Sequence, residues 1–291
     1  MLGKTDLFKN FLLISGLYLY PHHLLSRLVG WLCRIENAAF KNKLIRYFGK
    51  RYRTNTKEAV SRNLNHYPNL NSFYTRALKP EARPINHLHG GITCPADGTV
   101  SQVGKISSGE IVQVKGGAFS VIALLGGKNK YTDPYVDGVF VTIVLSLGDY
   151  HRVHMPFDAT LLETVHVPGR LFSVNRTTQA LIPGLYARNE RVVCFFESEA
   201  GPMALVLVGS VFASSIETVW EGVITPPTDT EIKRWNYPYN SPTGKKGEEM
   251  GRFNLGSTVI LLFAGAKVRW EEDLLQETSV KMGRLIGKAL V

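Results

Sequence analysis

The first fifth of the chain has apolar residues at helical spacing. Leucine, phenylalanine, isoleucine and tyrosine recur every three or four positions over residues 7–18, and a second apolar stripe covers residues 24–32. Pro21 separates the two stripes, and proline readily ends one helix or starts the next. The pattern predicts amphipathic helices in an N-terminal extension, which we assign to residues 1–59.

From residue 92 onward the pattern changes to short runs rich in Val, Ile and Phe, separated by clusters of Gly, Pro and Asp. Such runs are typical of β-strands. Strands are predicted at residues 99–103, 111–114, 139–147, 161–167, 192–196, 203–211 and 259–264, and short helices at residues 72–78 and 118–125. The expected fold class is therefore α+β, with a β-rich catalytic domain of residues 60–291 behind the helical extension.

Composition narrows the class of protein. The chain has 291 residues, of which 44% are hydrophobic and 20% charged, as in ordinary globular proteins. It is neither a disordered chain nor a multi-pass membrane protein. Cys33, Cys94 and Cys194 lie far apart with no C-x-x-C pair, so we expect no disulfide framework and a reducing compartment.

The positive charge is concentrated at the N-terminus. Residues 1–53 contain ten Lys and Arg against two Asp and Glu, and so carry +8 of the net +10. This asymmetry indicates an anionic partner. Because the basic residues accompany long apolar faces with Trp31 and several tyrosines, an anionic membrane surface is favoured over nucleic acid. We expect a peripheral protein on the cytoplasmic side of the cell membrane. Helices that simply pack on the body are the alternative.

A charged, glycine-rich segment ends in Gly256-Ser257-Thr258, directly before the apolar strand predicted at residues 259–264. Gly256 can adopt backbone angles closed to other residues, and its carbonyl has no neighbouring Cβ to hinder attack. Ser257 supplies a hydroxyl immediately after it. One interpretation is a turn that Ser257 caps. The other is a serine directed at the peptide bond on its own N-terminal side.

Two histidines and an aspartate form the remaining candidate chemistry. His151 and His154 follow an apolar strand, but no third cluster of His, Cys or Glu at ligand spacing accompanies them, so we predict no metal site. The two rings need not face the same way and could serve separate purposes. Asp97 lies in an Asp-Gly turn signal. Alternatively, it orients His154 in an Asp-His-Ser relay with Ser257.

Taken together, these stretches resemble one family over nearly the whole chain: the bacterial pyruvoyl-dependent phosphatidylserine decarboxylases of the prokaryotic type I. The matching motifs are Phe73–Leu78, Arg83-Pro84-Ile85, Pro95–Gly98, Asp149–Pro156, Pro168-Gly169, Leu171–Asn175, Ala187–Arg191, Ser215–Trp220, Lys246–Gly251 and Leu255–Thr258. A single Gly-Ser-Thr would be weak support, whereas this many motifs in order are strong support.

The resemblance implies that the chain cuts itself between Gly256 and Ser257. Asp97 would hold His154, which takes the proton of Ser257, and the hydroxyl would then attack the Gly256 carbonyl. Elimination and loss of ammonia would convert Ser257 into a pyruvoyl group. The products would be a large chain of residues 1–256 and a small chain of 35 residues, together forming a heterodimer. Whether two such heterodimers associate into a homodimer stays open.

The resemblance also implies the reaction. The pyruvoyl cofactor would form a Schiff base with the amine of phosphatidylserine and act as an electron sink while CO₂ leaves, giving phosphatidylethanolamine. His151 would donate the proton to carbon, and Arg152 would contact the substrate phosphate. The N-terminal helices would hold the enzyme at the bilayer that contains its substrate.

Two other functions use some of the same residues. A membrane-associated Ser-His-Asp hydrolase would need no self-cleavage, although the chain lacks the G-x-S-x-G sequence of many such enzymes. A non-enzymatic membrane scaffold would account for the basic helices but not for the ordered motifs.

Overall fold

A computed structural model describes residue 16 and residues 18–113, 117–211, 215–226 and 230–290. Two helices near the N-terminus precede a body of short helices and many strands. The α-helices are α1 His22–Cys33, α2 Ala38–Arg51, α3 Leu70–Tyr74, α4 Val121–Leu124, α5 Arg176–Leu181 and α6 Leu185–Arg188. Short 3₁₀ helices occur at Leu64–His66, Pro80–Ala82 and Asp133–Tyr135.

The strands of the described residues form four sheets. The strands are β1 Gly91–Thr93, β2 Gly98–Lys105, β3 Glu110–Gln113, β4 Gly117–Ser120, β5 Val139–Val144, β6 Arg152–His154, β7 Ala159–Val167, β8 Arg191–Ser198, β9 Gly201–Val208, β10 Ser215–Thr218, β11 Gly222–Val223, β12 Lys233–Asn236, β13 Thr243–Gly244, β14 Glu249–Asn254, β15 Thr258–Phe263, β16 Val268–Trp270, β17 Ser279–Val280 and β18 Leu285–Ala289. The largest sheet has the order β12-β7-β8-β9-β15-β5-β2-β17, with β13 beside β7. The others are β11-β10-β14-β6, β1-β18-β16 and β3-β4.

Strand β15 lies in the middle of the largest sheet. It pairs with β5 on one side and with β9 on the other, both antiparallel and in register along its whole length. All six of its side chains are buried. Its residues alternate between two apolar clusters, one on each face of the sheet. A strand that is buried on both faces has a nearly continuous run of apolar residues, and this explains the sequence of β15.

The α+β prediction is confirmed, while both predicted short helices differ from expectation. The helix predicted at residues 118–125 is wrong in its first half, because Phe119 pairs with Ile111 in the β3-β4 hairpin and only residues 121–124 are helical. The helix predicted at residues 72–78 is displaced. It starts earlier, at a capping box between Asn69 and Ser72, and it ends before the bridge that Leu78 forms with Ala59.

The N-terminal helices pack on the catalytic body through an apolar cluster. The apolar stripe predicted at residues 24–32 lies within α1, whereas most of the stripe predicted at 7–18 lies outside the described residues. Cys33 from α1 and Ile45 from α2 join Phe73 and Leu255 in this cluster. Packing of the helices on the body, the alternative to membrane contact, is therefore observed for α1 and α2, while membrane contact and the 1–59 boundary stay predictions. No described helix has the length and apolarity that crossing a bilayer requires.

Candidate active site

The site forms where the chain crosses twice between the same two sheets. One crossing joins β5 in the large sheet to β6 in the four-stranded sheet, and the other joins β14 to β15. Because β6 pairs with β14 and β5 pairs with β15, the two crossings lie side by side. Two backbone hydrogen bonds tie them together: Leu145 N–H donates to the Ser257 carbonyl at 2.7 Å, and Phe253 N–H donates to the His151 carbonyl at 2.9 Å.

The second crossing contains the strained backbone. Leu255 has a φ of +74°, a left-handed conformation that costs a non-glycine residue about 1–3 kcal/mol. Gly256 was expected to take unusual backbone angles, and here the expectation is wrong: its φ is not in that region. What Gly256 needs is space. A Cβ on Gly256 would collide with His151 Nε2, so a glycine is needed beside the imidazole.

His151 is fully buried and faces this glycine. Its Nδ1 lies 2.9 Å from the Asp149 carbonyl oxygen, which can only accept, so Nδ1 carries the hydrogen. Nε2 is then an acceptor, and it has no hydrogen-bond partner among the described residues. Burial lowers the pKa of His151 to about 4. The structure thus directs an unprotonated, unpaired nitrogen at the Gly256 backbone.

His154 points elsewhere, as the separate-purposes hypothesis expects. Its Nδ1 donates to the Gly247 carbonyl at 2.8 Å, and its Nε2 accepts from the Tyr150 hydroxyl at 3.2 Å. Burial lowers the pKa of His154 as well. Both ring nitrogens are therefore engaged, and Tyr150 is a member of the site that the sequence reasoning missed. Its place between Asp149 and His151 was the available signal.

Asp97 has partners other than the expected one. Its carboxylate accepts from Arg83 Nε at 2.8 Å and from Arg83 Nη2, from Lys281 Nζ at 3.2 Å and from the Met282 amide at 2.9 Å. Burial alone would raise the pKa of Asp97, but these hydrogen bonds and the two cations lower it. Within the described residues no hydrogen bond joins Asp97 to His154, so the expected contact is absent from this form of the chain.

Ser257 is buried at the start of β15. Its hydroxyl lies 3.5 Å from the Thr258 hydroxyl and makes no hydrogen bond to His151 or His154 in the described structure. The Ser257 hydroxyl is therefore near the Gly256 carbonyl because the two residues are adjacent in the chain. The described structure shows no hydrogen-bonded Asp-His-Ser relay. The roles predicted for Asp97, His154 and Ser257 stay predictions.

Arg152 is partly exposed and already engaged. Its Nη1 donates to Glu249 at 2.7 Å and its Nε to the Thr75 carbonyl at 2.9 Å. Binding of a substrate phosphate by Arg152 stays a prediction. Among the residues that the structure describes, no group of three or more His, Cys, Asp or Glu side chains is arranged to hold a metal ion.

Comparison with known proteins matches this site to one family. A family model described as phosphatidylserine decarboxylase covers residues 70–288, and a second, described as PSD, covers residues 12–53. The chain belongs to the phosphatidylserine decarboxylase family. It is 51% identical over 282 residues to the phosphatidylserine decarboxylase proenzyme of Pseudomonas putida (strain W619), covering 96% of this chain and 98% of the relative.

Other relatives agree. The phosphatidylserine decarboxylase proenzyme of Ectopseudomonas mendocina (strain ymp) is 50% identical over 284 residues, covering 97% of this chain and 99% of the relative. That of Pseudomonas fluorescens (strain SBW25) is 48% identical over 282 residues, with 96% and 98% covered. The resemblance stated from the sequence motifs, and the assignment as an enzyme of this decarboxylase family, are confirmed.

The residues present fit the pyruvoyl cofactor expected in this decarboxylase family. The cofactor would derive from Ser257 itself, and the unpaired Nε2 of His151 is an orphaned buried atom beside Gly256. A buried polar atom without a partner is costly unless something at the site uses it. Ser257 is therefore the residue at which the group would form, with Gly256 on the other side of the bond to be cut.

The neutral state of His151 can be measured. Between the unfolded value of about 6.5 and the folded value of about 4, the unfolded chain binds a proton that folded His151 does not. Stability contributed by this group should therefore fall as the pH drops through that window. A Ser257→Ala chain lacks the attacking hydroxyl, so its bond between residues 256 and 257 stays intact. In this chain we expect the His151 NMR resonance to show no titration above pH 5. A midpoint at pH 6 or higher would contradict the burial argument.

Proposed function

We propose that this protein decarboxylates phosphatidylserine to phosphatidylethanolamine and CO₂, after cutting its own backbone between Gly256 and Ser257. The observation that carries the proposal is the buried Gly256-Ser257 joint directly before β15, with the unpaired Nε2 of His151 lying where a side chain on residue 256 would be. The working enzyme would be a heterodimer of residues 1–256 and 257–291. Ser257 would become the pyruvoyl group.

Self-cleavage begins with the hydroxyl of Ser257 adding to the Gly256 carbonyl carbon, which moves the acyl group from nitrogen to oxygen. A base must take the hydroxyl proton, and we assign this to His154, with Asp97 in support. A positioned base contributes about 10²- to 10⁴-fold. In the uncut chain His154 Nε2 accepts from Tyr150. The Tyr150 hydroxyl must therefore turn away or pass the proton to His154.

The fixed backbone around Ser257 supports cleavage at the Gly256-Ser257 bond. Ser257 is fixed by its carbonyl, which accepts from Leu145, and by the in-register pairing of β15 that begins at the next residue. The preceding Leu255 is in a left-handed conformation. Rupture of the Gly256-Ser257 bond, one residue further on, would let Leu255 relax, which favours cleavage.

For decarboxylation, the pyruvoyl group would supply the electron sink that accepts the electrons left by CO₂. If the Gly256 end moves away after the cut, His151 would face the space it leaves, and we place the serine headgroup there. Its neutral Nε2 in the uncut chain can take up a proton when an anionic carboxylate binds beside it, since a nearby negative charge raises a histidine pKa. That proton is the one we assign to the substrate carbon.

The N-terminal helices support a phospholipid substrate. Leu24, Leu28 and Trp31 of α1 and Tyr47 of α2 are exposed on a strongly basic segment, which is the composition of helices that lie in a membrane interface. We propose that this surface attaches the protein peripherally to the cytoplasmic side of the cell membrane. An anionic bilayer would then be its partner.

Beneath these helices lies an apolar cavity of about 360 Å³. Its walls include Val29, Phe48 and Tyr74, and Leu255 forms part of the lining next to the cleavage site. An acyl chain of a lipid held by α1 and α2 would fit this apolar cavity, which reaches Leu255, the residue before Gly256. The apolar lining favours a diacyl lipid over a water-soluble amino acid as substrate.

The two histidines can be separated by substitution. His154→Ala should slow self-cleavage by about 10²- to 10⁴-fold, because the base is lost. His151→Ala should still be cut, yet decarboxylate phosphatidylserine poorly, because only the protonation step is affected. His87→Ala, an exposed histidine, is the matched control. Denaturing electrophoresis and CO₂ release measure the two steps. A His151→Ala chain that stays uncut would refute the division of roles.

Membrane attachment has its own test. Replacing Leu28 and Trp31, which are 50% and 62% exposed, by Glu should release the protein from vesicles containing phosphatidylglycerol. Leu275→Glu alters a leucine on the body that is 63% exposed, more than Leu28, and should leave binding unchanged. Vesicle flotation measures the bound fraction. Unchanged flotation of the Leu28→Glu/Trp31→Glu protein would contradict the attachment surface.

A further inference from the structure

Asp97 lies in a buried ion pair that the predicted reaction scheme does not use. Arg83 and Asp97 have side-chain exposures of 7% and 1%, and the guanidinium binds both carboxylate oxygens. The same guanidinium donates to Glu58, at 2.9 Å, and Glu58 is 31% exposed. A two-point contact of this kind fixes both the position and the orientation of a carboxylate.

The remaining hydrogen bonds to Asp97 come from residues that follow the cleavage site in the sequence. Lys281 Nζ and the Met282 amide follow Ser257 in sequence, whereas Arg83 and Asp97 precede Gly256. If the chain is cut as proposed, Asp97 would therefore join the small chain to the large chain. Lys281 is 54% exposed, so its bond to Asp97 is the more solvent-screened of the two cationic contacts.

The turn that contains Asp97 also supports the second histidine. The Pro95 carbonyl accepts from the His154 backbone N–H at 2.8 Å, and the Cys94 carbonyl accepts from the Gly283 N–H at 3.0 Å. Movement of this turn would displace the strand that contains His154. Asp97 can thus act on His154 through the backbone, without a contact between carboxylate and imidazole.

We propose that Arg83 is a positioning residue for self-cleavage, which fixes the Asp97 side chain and the turn at residues 94–98 against both parts of the chain. The inference rests on the proposed function, since it concerns the same cut. Arg83 touches none of the reacting atoms in the described structure. It acts through Asp97, with Lys281 as a weaker second cation.

Loss of Arg83 should leave a buried carboxylate short of its main partner. A hydrogen bond to a charged group contributes about 1.5–3 kcal/mol, which corresponds to roughly a 10- to 100-fold change in rate. Lysine at this position would keep the charge but lose the two-point contact. The order of cleavage rates should therefore be wild type, then Arg83→Lys, then Arg83→Gln, with Lys281→Gln closer to wild type.

The experiment follows freshly translated full-length chains over time by denaturing electrophoresis, alongside their thermal unfolding. Arg83→Gln should be cut about 10- to 100-fold more slowly than wild type, and Arg83→Lys should restore part of the rate. Arg284→Gln is the control, because Arg284 lies in the neighbouring turn and pairs with the exposed Asp273. It should be cut within about twofold of wild type.

Two results would overturn the inference. The first is Arg83→Gln cut as fast as wild type. The second is Arg83→Lys cut no faster than Arg83→Gln at equal thermal stability, because the charge would then have no part in the effect. A wild-type chain that stays uncut under the same conditions would contradict the proposed function itself, before any variant is compared.

Discussion

The approach of His151 to Gly256 depends on one constraint: two chain segments that pair as strands in the large sheet also pair as strands in the smaller sheet. Strands β5 and β15 pair in the large sheet while β6 and β14 pair in the smaller one, so the connections between them must run side by side. One connection contains His151 and the other contains Gly256 and Ser257. The imidazole lies where any side chain at residue 256 would be, which explains the glycine without recourse to its backbone freedom.

Burial then decides the chemistry of each titratable group at this crossing. His151 and His154 are both shifted toward the neutral state by loss of water, and each has its hydrogen on Nδ1 because a carbonyl accepts there. Asp97 stays ionised because two cations and an amide outweigh its burial. Neutral bases and a paired carboxylate in a dry environment suit a site that must hold and move single protons.

Much of the fold could be predicted from the sequence because the central strands are runs of apolar residues. The residues around Gly256 and Ser257 could be found because they are neighbours in the chain. The parts that failed depend on strand pairings, backbone angles and contacts that residue type and local pattern do not specify. Nothing local indicates that Phe119 pairs with Ile111, or that Leu255 takes the left-handed angle. The contact of Asp97 with Lys281 likewise arises only when segments 184 residues apart in sequence meet.

The central claim is that the bond between Gly256 and Ser257 is absent from the working enzyme. Denaturing mass spectrometry of catalytically active protein tests it most directly. The account predicts two chains, residues 1–256 and a 35-residue chain from residue 257 whose N-terminus is a pyruvoyl group and therefore blocked to Edman sequencing. A single intact chain of 32.4 kDa in protein that decarboxylates phosphatidylserine would contradict it.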